Sequence, residues 1–442
     1  MEQVYRFFSV NSVFSVANDF CKDCRRASND YWRSKVKITK LETFVVDGGW
    51  RAWTYVKVET DEGITGWGEC SDYRVTNAVE GMVRDLSPIL VGKDPCAYEM
   101  RFIDMTRMTR SSPGGIAGRA IAGIECALVD IAARARNISV VELLGGPTRD
   151  QVRLYWSHCG TTRVRHHEMV GKPPINSWAD VMALGKEVVA RGFTALKTNI
   201  VMPGQNGTWM SGFGGFGVTM GPNDEWAPNG LIAHIEKHIG TLRDAVGPDF
   251  DINLDLNWHF KPEACMRIAK ALEPFNLHWL EIDTHDADAL VQIKQSTSTR
   301  ICTGETLIHM KEYLPFFQRH AADVFMIDVP WNGIAQAKKV GDLAATFQHN
   351  VAPHNHYSHL STHMSAALCA TLHNVRIMEI DIDDVPWKDE LVTHAPEIVD
   401  GHMIIPKGLG WGTAIVEEVA RAHPWDAHKA AHAKQLAQPK GA

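Results

Sequence analysis

Residues 250–255 read FDINLD, and a stretch of the same kind returns five times downstream: LHWLE (277–281), TRICTGE (299–305), ADVFMID (322–328), NVAPH (350–354) and VRIME (375–379). Each is a short apolar run ending on an acid or a histidine. The end residues are Asp255, Glu281, Glu305, Asp328, His354 and Glu379, spaced by 26, 24, 23, 26 and 25 residues. Segments of mostly helical character separate the runs. A strand, a helix and two loops take about 25 residues, so the interval is that of a βα repeat. In a (β/α)8 barrel the C-terminal strand ends converge on one mouth, where the chemistry sits. Groups remote in sequence are thereby expected around one site.

Upstream, QVRLYWSHCG (151–160) and ALKTNI (195–200) supply two earlier strands. SWADVMALGKEVVARG (177–192) is the helix between them, with Ser177 as its N-cap. Residues 201–230 are Gly-rich, carry several aromatics and have no helical period. An insertion of this length after a barrel strand is expected to be a lid or specificity loop. Further upstream, KVKITKLETFVV (35–46), WTYVKVET (53–60) and ITGWGEC (64–70) read as strands, the last two joined by the turn DEG (61–63). Helical segments follow at 76–92 and 97–109. AGRAIAGIECALVDIAARARN (117–137) then carries small and apolar residues at helical spacing. Residues 36–148 thus form an α+β domain.

The length of 442 residues accommodates one barrel of about 250 residues and a second domain. With 45% apolar and 22% charged residues, the composition is that of an ordinary globular protein. A net charge of −7 leaves no basic footprint, so no nucleic-acid partner is expected. No apolar run approaches the roughly 20 residues that span a bilayer, so no membrane partner is expected either. RFFSVNSVFSVA (6–17) imitates a signal peptide, but its asparagine and serines interrupt the apolar core. Residues 1–35 are read as an N-terminal extension. Its Cys21-x-x-Cys24 pair has no second CxxC nearby and does not by itself make a zinc site. Nine scattered cysteines, an odd number, suggest a reducing cytoplasm.

Asp255, Glu281 and Glu305 offer three hard oxygen ligands on consecutive strands, the donor set that suits Mg²⁺. Thiolates are absent from these positions, which argues against zinc. One acid at a strand end could as well cap a helix; three in register, followed by a histidine, argue for a metal centre with a base beside it. Asp328 and His354 fall on adjacent strands by this count. A carboxylate beside an imidazole fixes its tautomer and raises its basicity, making His354 the candidate general base or acid. His356, two residues on, is its rival.

From about residue 36 onward the chain resembles the enolase superfamily, and within it the mandelate racemase subgroup. The resemblance lies in ITGWGEC, in ALVDIAARARNISVVELLGG, and in ALKTNI, LDLN, WLE, TGE, MIDVPWNGI, APH and IMEID in order. It implies an α/β fold: a modified TIM barrel of the (β/α)7β type at 149–384, capped by the α+β domain at 36–148. Residues 385–442 would form a C-terminal segment packing back on the cap. The resemblance further implies Mg²⁺ held by Asp255, Glu281 and Glu305, and a His354–Asp328 dyad as the base. Glu379 would be the acid that hydrogen-bonds a developing enolate. The shared chemistry is proton abstraction next to a carboxylate, with a divalent metal and nearby cations holding the charge that develops. Members of the superfamily pair a Lys or His base with Mg²⁺ for this step.

The departure from the family pattern is on the second strand, where Lys-x-Lys is common and Lys197-Thr198-Asn199 stands here. Lys197 can neutralise a substrate carboxylate, but Asn199 cannot accept a proton at neutral pH. A two-base racemase needs a base on each face of its substrate; a dehydratase can work with His354 alone. Some sugar-acid dehydratases of the family carry a histidine two residues after the first metal ligand. Here that position is Asn257 and the histidine is His259. Alternation along a strand would turn both toward the substrate. Trp258, Trp331 and Trp387 are candidates to line the mouth. The expected activity is a Mg²⁺-dependent acid-sugar dehydratase, turning an aldonate or aldarate into a 2-keto-3-deoxy acid. The alternatives are a racemase, epimerase or cycloisomerase using Lys197 and His354, and a catalytically silent barrel that keeps the metal site. The partner is a small-molecule sugar acid, and the family analogy suggests a homo-oligomer.

Overall fold

The computed structural model describes residues 36–72, 75–203, 209–211 and 225–426. The N-terminal extension with Cys21 and Cys24, most of the Gly-rich insertion and residues 427–442 lie outside the described residues.

Three antiparallel strands open the described chain: β1 (Ile38–Asp47), β2 (Ala52–Thr60) and β3 (Thr65–Glu69). The Asp61–Gly63 turn joins β2 to β3, in keeping with the DEG signal. The helix Gly115–Arg134 lies across this sheet, and its Ala/Gly face permits a very close approach. A Cβ on Gly68 would stand 2.0 Å from the Gly123 carbonyl oxygen, so the second glycine of ITGWGEC is a packing requirement. Helices Thr76–Leu90 and Tyr98–Met108 complete this domain.

The barrel starts at β4 (Gln151–Ser157) and continues with β5 (Ala195–Thr198). A short hairpin, β6 (Ile200–Met202) and β7 (Trp209–Ser211), follows. Then come β8 (Asp251–Asp255), β9 (Trp279–Glu281), β10 (Ile301–Thr303), β11 (Val324–Asp328), β12 (Asn350–His354) and β13 (Met378–Asp381). Strands β4, β5 and β8 to β12 pair in parallel in that order. β13 pairs with β4, and the parallel bridge Val351↔Val375 closes the ring. The eight strands thus make a closed barrel whose last strand has no crossover helix after it, a (β/α)7β barrel. Ser177 caps the helix Trp178–Ala190 in a capping box with Asp180.

After β13 the chain turns back. β14 (Ile398–Val399) and β15 (His402–Ile404) form a hairpin that pairs antiparallel with the start of β4. Beyond it, Trp411 Nε1 donates to the Trp67 carbonyl at 2.7 Å, and Trp425 N donates to Val45 O at 3.1 Å.

Buried acids of the N-terminal domain hold it to helix starts of the barrel. Glu69 accepts from Ser358 Oγ and from Ser361 N at 3.0 Å, at the first turn of the helix His359–Thr371. Glu125 accepts from Ala335 N at 3.0 Å, at the start of the helix Ile334–Thr346. Both helix starts gain a buried carboxyl acceptor for N–H groups that have no partner within the helix. The fit at Glu125 leaves room only for glycine: Gly333 has φ 80°, and a Cβ there would lie 2.6 Å from Glu125 Oε2. Burial, and then Glu99, push the Glu125 carboxyl up to about 8 from 4.5. Its folded value lies above its unfolded one, so its contribution to stability is full below about pH 4.5 and is lost as pH rises through 8. Glu125→Ala is expected to cost about 1–3 kcal/mol in chemical denaturation, because buried amides lose their acceptor. Glu125→Gln should flatten the stability profile across the same pH window.

Candidate active site

Strand register brings the site together. Asp255 and Glu281 are register partners on β8 and β9, and Asp328 and His354 are register partners on β11 and β12. Every one of these residues closes its strand, so their side chains meet at the C-terminal mouth. A cavity of about 490 Å³ opens there, lined among others by Lys197, Asp255, Asn257, Glu305, His354 and His356.

The acidic part is compact. Carboxylate oxygens of Asp255, Glu281 and Asp283 lie within 4.8 Å of one another, all buried. Burial pushes Glu281 well above the usual carboxylate range; Lys197 opposes this, and the charges of Asp255, Asp283 and Glu305 add to it. Asp283 is absent from the set expected from sequence, although Glu281-Ile282-Asp283 alternates in a way that could have signalled it. Asp283 is tied back by Gly304 N at 3.1 Å, whereas Glu305 lines the cavity beside Asp255. Buried hard oxygens that repel one another fit a divalent cation of the Mg²⁺ kind, which would offset that repulsion.

Lys197 is wedged between two of the carboxylates, 3.1 Å from Glu281 Oε1 and 2.9 Å from Glu379 Oε1. Burial pulls its ammonium down, but Glu281 and Glu379 outweigh this and hold it well above the ordinary lysine value. It is a fixed cation in this arrangement. Asn199 Nδ2 donates to Asp255 Oδ2 at 3.1 Å. Asn199 Oδ1 and Asn257 Nδ2 are buried polar atoms without a hydrogen-bond partner among the described residues.

His354 Nδ1 lies 2.7 Å from Asp328 Oδ2. Asp328 also accepts from Tyr357 Oη at 2.6 Å and from Trp331 N at 2.9 Å, so it is held from three sides. His354 Nε2 lies 3.2 Å from Glu305 Oε2. Burial works against the His354 imidazolium, but Glu379, Glu305 and the Asp328 hydrogen bond lift it to about 10. His356, the sequence rival, has no such carboxylate among the described residues. Its Nδ1 lies 3.1 Å from His354 Nε2, and burial followed by the charge of His354 holds it well below the usual value. Glu379 accepts from Ser157 Oγ and from Asn355 N at 2.8 Å. Burial pushes its carboxyl up, yet Lys197 and His354 hold it far below the carboxylate range. Beside it stands the Lys197 ammonium as a further donor.

Two expectations from strand alternation and composition change. β8 ends at Asp255, and Asn257 and Trp258 take φ of 52° and 61°, so the alternating pleat stops before His259. Asn257 and Trp258 line the cavity, while His259 lies edge-on to Phe260 at 4.8 Å and is not among the lining residues. His285, 4.9 Å from Trp258, takes a place in the wall that sequence reading left blank. Trp331 lines the cavity beneath Arg119, whose guanidinium carbon is 3.9 Å from its ring centre. Trp387 is a packing residue, stacked on His423 at 3.8 Å.

Comparison with known proteins agrees with this geometry. The enolase C-terminal domain-like family matches residues 180–419. The N-terminal domain of the mandelate racemase/muconate lactonizing enzyme family matches residues 48–145. The chain belongs to the mandelate racemase/muconate lactonizing enzyme family. It is an enzyme. A D-xylonate dehydratase from Haloferax volcanii is 29% identical over 395 residues, which is 88% of this chain and 89% of that protein. A D-gluconate dehydratase from Thermoproteus tenax is 28% identical, over 88% of this chain and 74% of that protein. A solved Burkholderia xenovorans strain LB400 protein, provisionally assigned as an L-alanine-DL-glutamate epimerase and bound to magnesium and fumarate, superposes with a TM-score of 0.82. It is 38% identical, over 88% of this chain and 96% of that one.

In this family member the N-terminal domain also reaches the site. Arg119, from the helix Gly115–Arg134, forms an ion pair with Asp72, just after β3, and both line the cavity. Neither stood out in the sequence, because an Arg in a small-residue helix and an Asp after a strand carry no local signature.

Proposed function

We propose that this enzyme is a Mg²⁺-dependent acid-sugar dehydratase acting on a free aldonate or aldarate. It would remove the proton next to the carboxylate and eliminate the β-hydroxyl as water, giving a 2-keto-3-deoxy acid. The observation that carries this reading is the asymmetry of the site: a His354–Asp328 dyad on one side, and on the other an Asn199 tied to Asp255 and a Lys197 held as an ammonium between Glu281 and Glu379. Neither Lys197 nor Asn199 supplies, in that arrangement, the second base that an epimerase needs. The dehydratase names of the curated relatives support the same reading. The epimerase assignment of the Burkholderia protein favours the rival, in which Lys197 gives up its proton.

Asp255, Glu281 and Glu305 would hold the metal, with Asp283 adding negative charge behind them. Bound, the cation supplies positive charge for the enediolate oxygens and offsets the carboxylate field at His354. The chain's own residues do the rest. His354 Nε2 takes the α-proton, Asp328 keeps the other ring nitrogen protonated, and the Lys197 ammonium stabilises the developing negative charge. Asn199 Oδ1 and Asn257 Nδ2 offer a buried acceptor and donor to substrate hydroxyls. Among the described residues no helix is long and apolar enough to cross a membrane. The proposal includes a cytoplasmic location and a homo-oligomeric state, without nucleic-acid or membrane partners.

The test is a screen of the purified chain with Mg²⁺ against mono- and diacid sugars, with 2-keto products trapped by semicarbazide. Product from at least one acid sugar is expected; none across a broad panel would end the dehydratase reading. Tyr357→Phe removes one of the donors that hold Asp328. It should lower kcat by about fivefold, the kinetic equivalent of a hydrogen bond worth about 1 kcal/mol. An unchanged kcat would mean that Tyr357 does not tune the dyad.

A further inference from the structure

A second histidine–aspartate pair opens on the same cavity. His158 follows directly on β4, and its Nδ1 lies 2.8 Å from Asp381 Oδ1. Asp381 ends β13 and is the register partner of Ser157, so two neighbouring parallel strands fix this pair much as they fix Asp328 and His354. The other carboxylate oxygen, Asp381 Oδ2, lies 3.1 Å from Arg51 Nη2. Arg51 comes from the β1–β2 turn of the N-terminal domain and is itself fully buried. An arginine-backed aspartate therefore stands behind His158, as Asp328 stands behind His354. His158 has φ 46°, a backbone conformation uncommon for a residue with a side chain, at the point where it leaves the strand for the cavity wall. It lines the cavity with Lys197 and His354. Its ring centre is 5.6 Å from that of His356, which is 4.8 Å from that of His354.

We propose that His158 is a second acid–base catalytic residue, oriented by Asp381 and Arg51, that protonates the departing β-hydroxyl. The inference rests on the dehydratase reading above. With Nδ1 turned to Asp381, Nε2 is the nitrogen that exchanges a proton with the substrate. The C2–H bond breaks and its proton passes to His354 Nε2. The electron pair forms the enediolate and then the C2–C3 double bond as the C3–O bond breaks. His158 Nε2 supplies the proton with which the hydroxyl leaves as water. The resulting enol becomes the ketone when His354 returns its proton to C3 and the enol O–H proton goes back to His158. Both histidines finish as they began, and the net change is loss of one water. Hydroxide is a poor leaving group, so protonation at this step is where an acid gains most. Two dyads divide the work that a single histidine would otherwise do in sequence.

The experiment uses the full chain with Mg²⁺ in D2O, on D-xylonate, D-gluconate, D-mannonate and D-galactonate. It adds the 3-deoxy-3-fluoro analogue of whichever is turned over, because fluoride leaves without being protonated. For His158→Asn, ketoacid formation from the hydroxy acid should fall by about 10²–10³-fold. Deuterium exchange at C2 and fluoride release should persist, which also reports that the variant is folded. Asp381→Asn should show the same split more weakly, and His354→Asn should lose all three signals. Undiminished ketoacid formation in His158→Asn overturns the proposal. So does a parallel loss of exchange and fluoride release, which would mark His158 as structural. A wild type that turns over none of the acids removes the dehydratase reading and the second acid with it; an active wild type with an unaffected His158→Asn removes the second acid alone.

Discussion

His354→Asn should lower ketoacid formation by about 10³–10⁴-fold while the chain stays folded and still binds Mg²⁺. The size follows from the step lost, since a positioned general base contributes about 10²–10⁴-fold and His354 is the base in this account. The side-chain amide keeps a donor for Asp328 but offers no nitrogen that can take a proton. His354 is also linked to stability. In the metal-free chain its folded value of about 10 lies above the 6.5 of a free imidazole. Its ion pairs with Asp328 and Glu305 therefore stabilise the fold in full below about pH 6.5, and that contribution is lost as pH rises through 10. His354→Asn should flatten the metal-free stability profile between those limits. Substantial residual turnover would place the base elsewhere, with His356 the next residue to test.

Glu281→Gln should lose metal and activity together. Glu281 is fully buried, shares its cluster with Asp255 and Asp283, and is bridged by Lys197. A neutral amide in its place removes a charged ligand and leaves Lys197 with Glu379 as its remaining carboxylate. Changes in residues behind a metal site cost about 10–100-fold in affinity. Asp283→Asn should fall in that range, and Glu281→Gln, as a direct ligand, should exceed it. Titration calorimetry with Mg²⁺ separates the two. Equal losses would make Asp283 a ligand in its own right, and unaltered affinity in Glu281→Gln would break the assignment.

The barrel was legible because its signal is periodic: six strand ends at near-constant intervals predict six neighbours, and Asp328 with His354 fall in register as the spacing implies. The lysine–asparagine departure on β5 was equally legible, since it concerns residue type at a known strand position. What the sequence hides is mostly what depends on leaving the strand. Alternation points His259 into the site only if the pleat runs on past Asp255, where two left-handed residues end it. Asp283 sits past the end of its strand, where alternation could still have found it. Arg51, Arg119 and Asp72 reach the site through contacts between two domains, and no local pattern marks such contacts. His158 looked like one histidine among 21 until Asp381 was seen beside it.

The most direct test of the account follows the C2 hydrogen by ¹H NMR, with the chain, Mg²⁺ and the acid-sugar panel in D2O. The account predicts that one acid sugar gives way to the C3 signals of a 2-keto-3-deoxy acid, with no C2 epimer accumulating. Growth of the C2 epimer would contradict it and require a second base, Lys197 or His158; loss of the C2 signal without any ketoacid would contradict the elimination step.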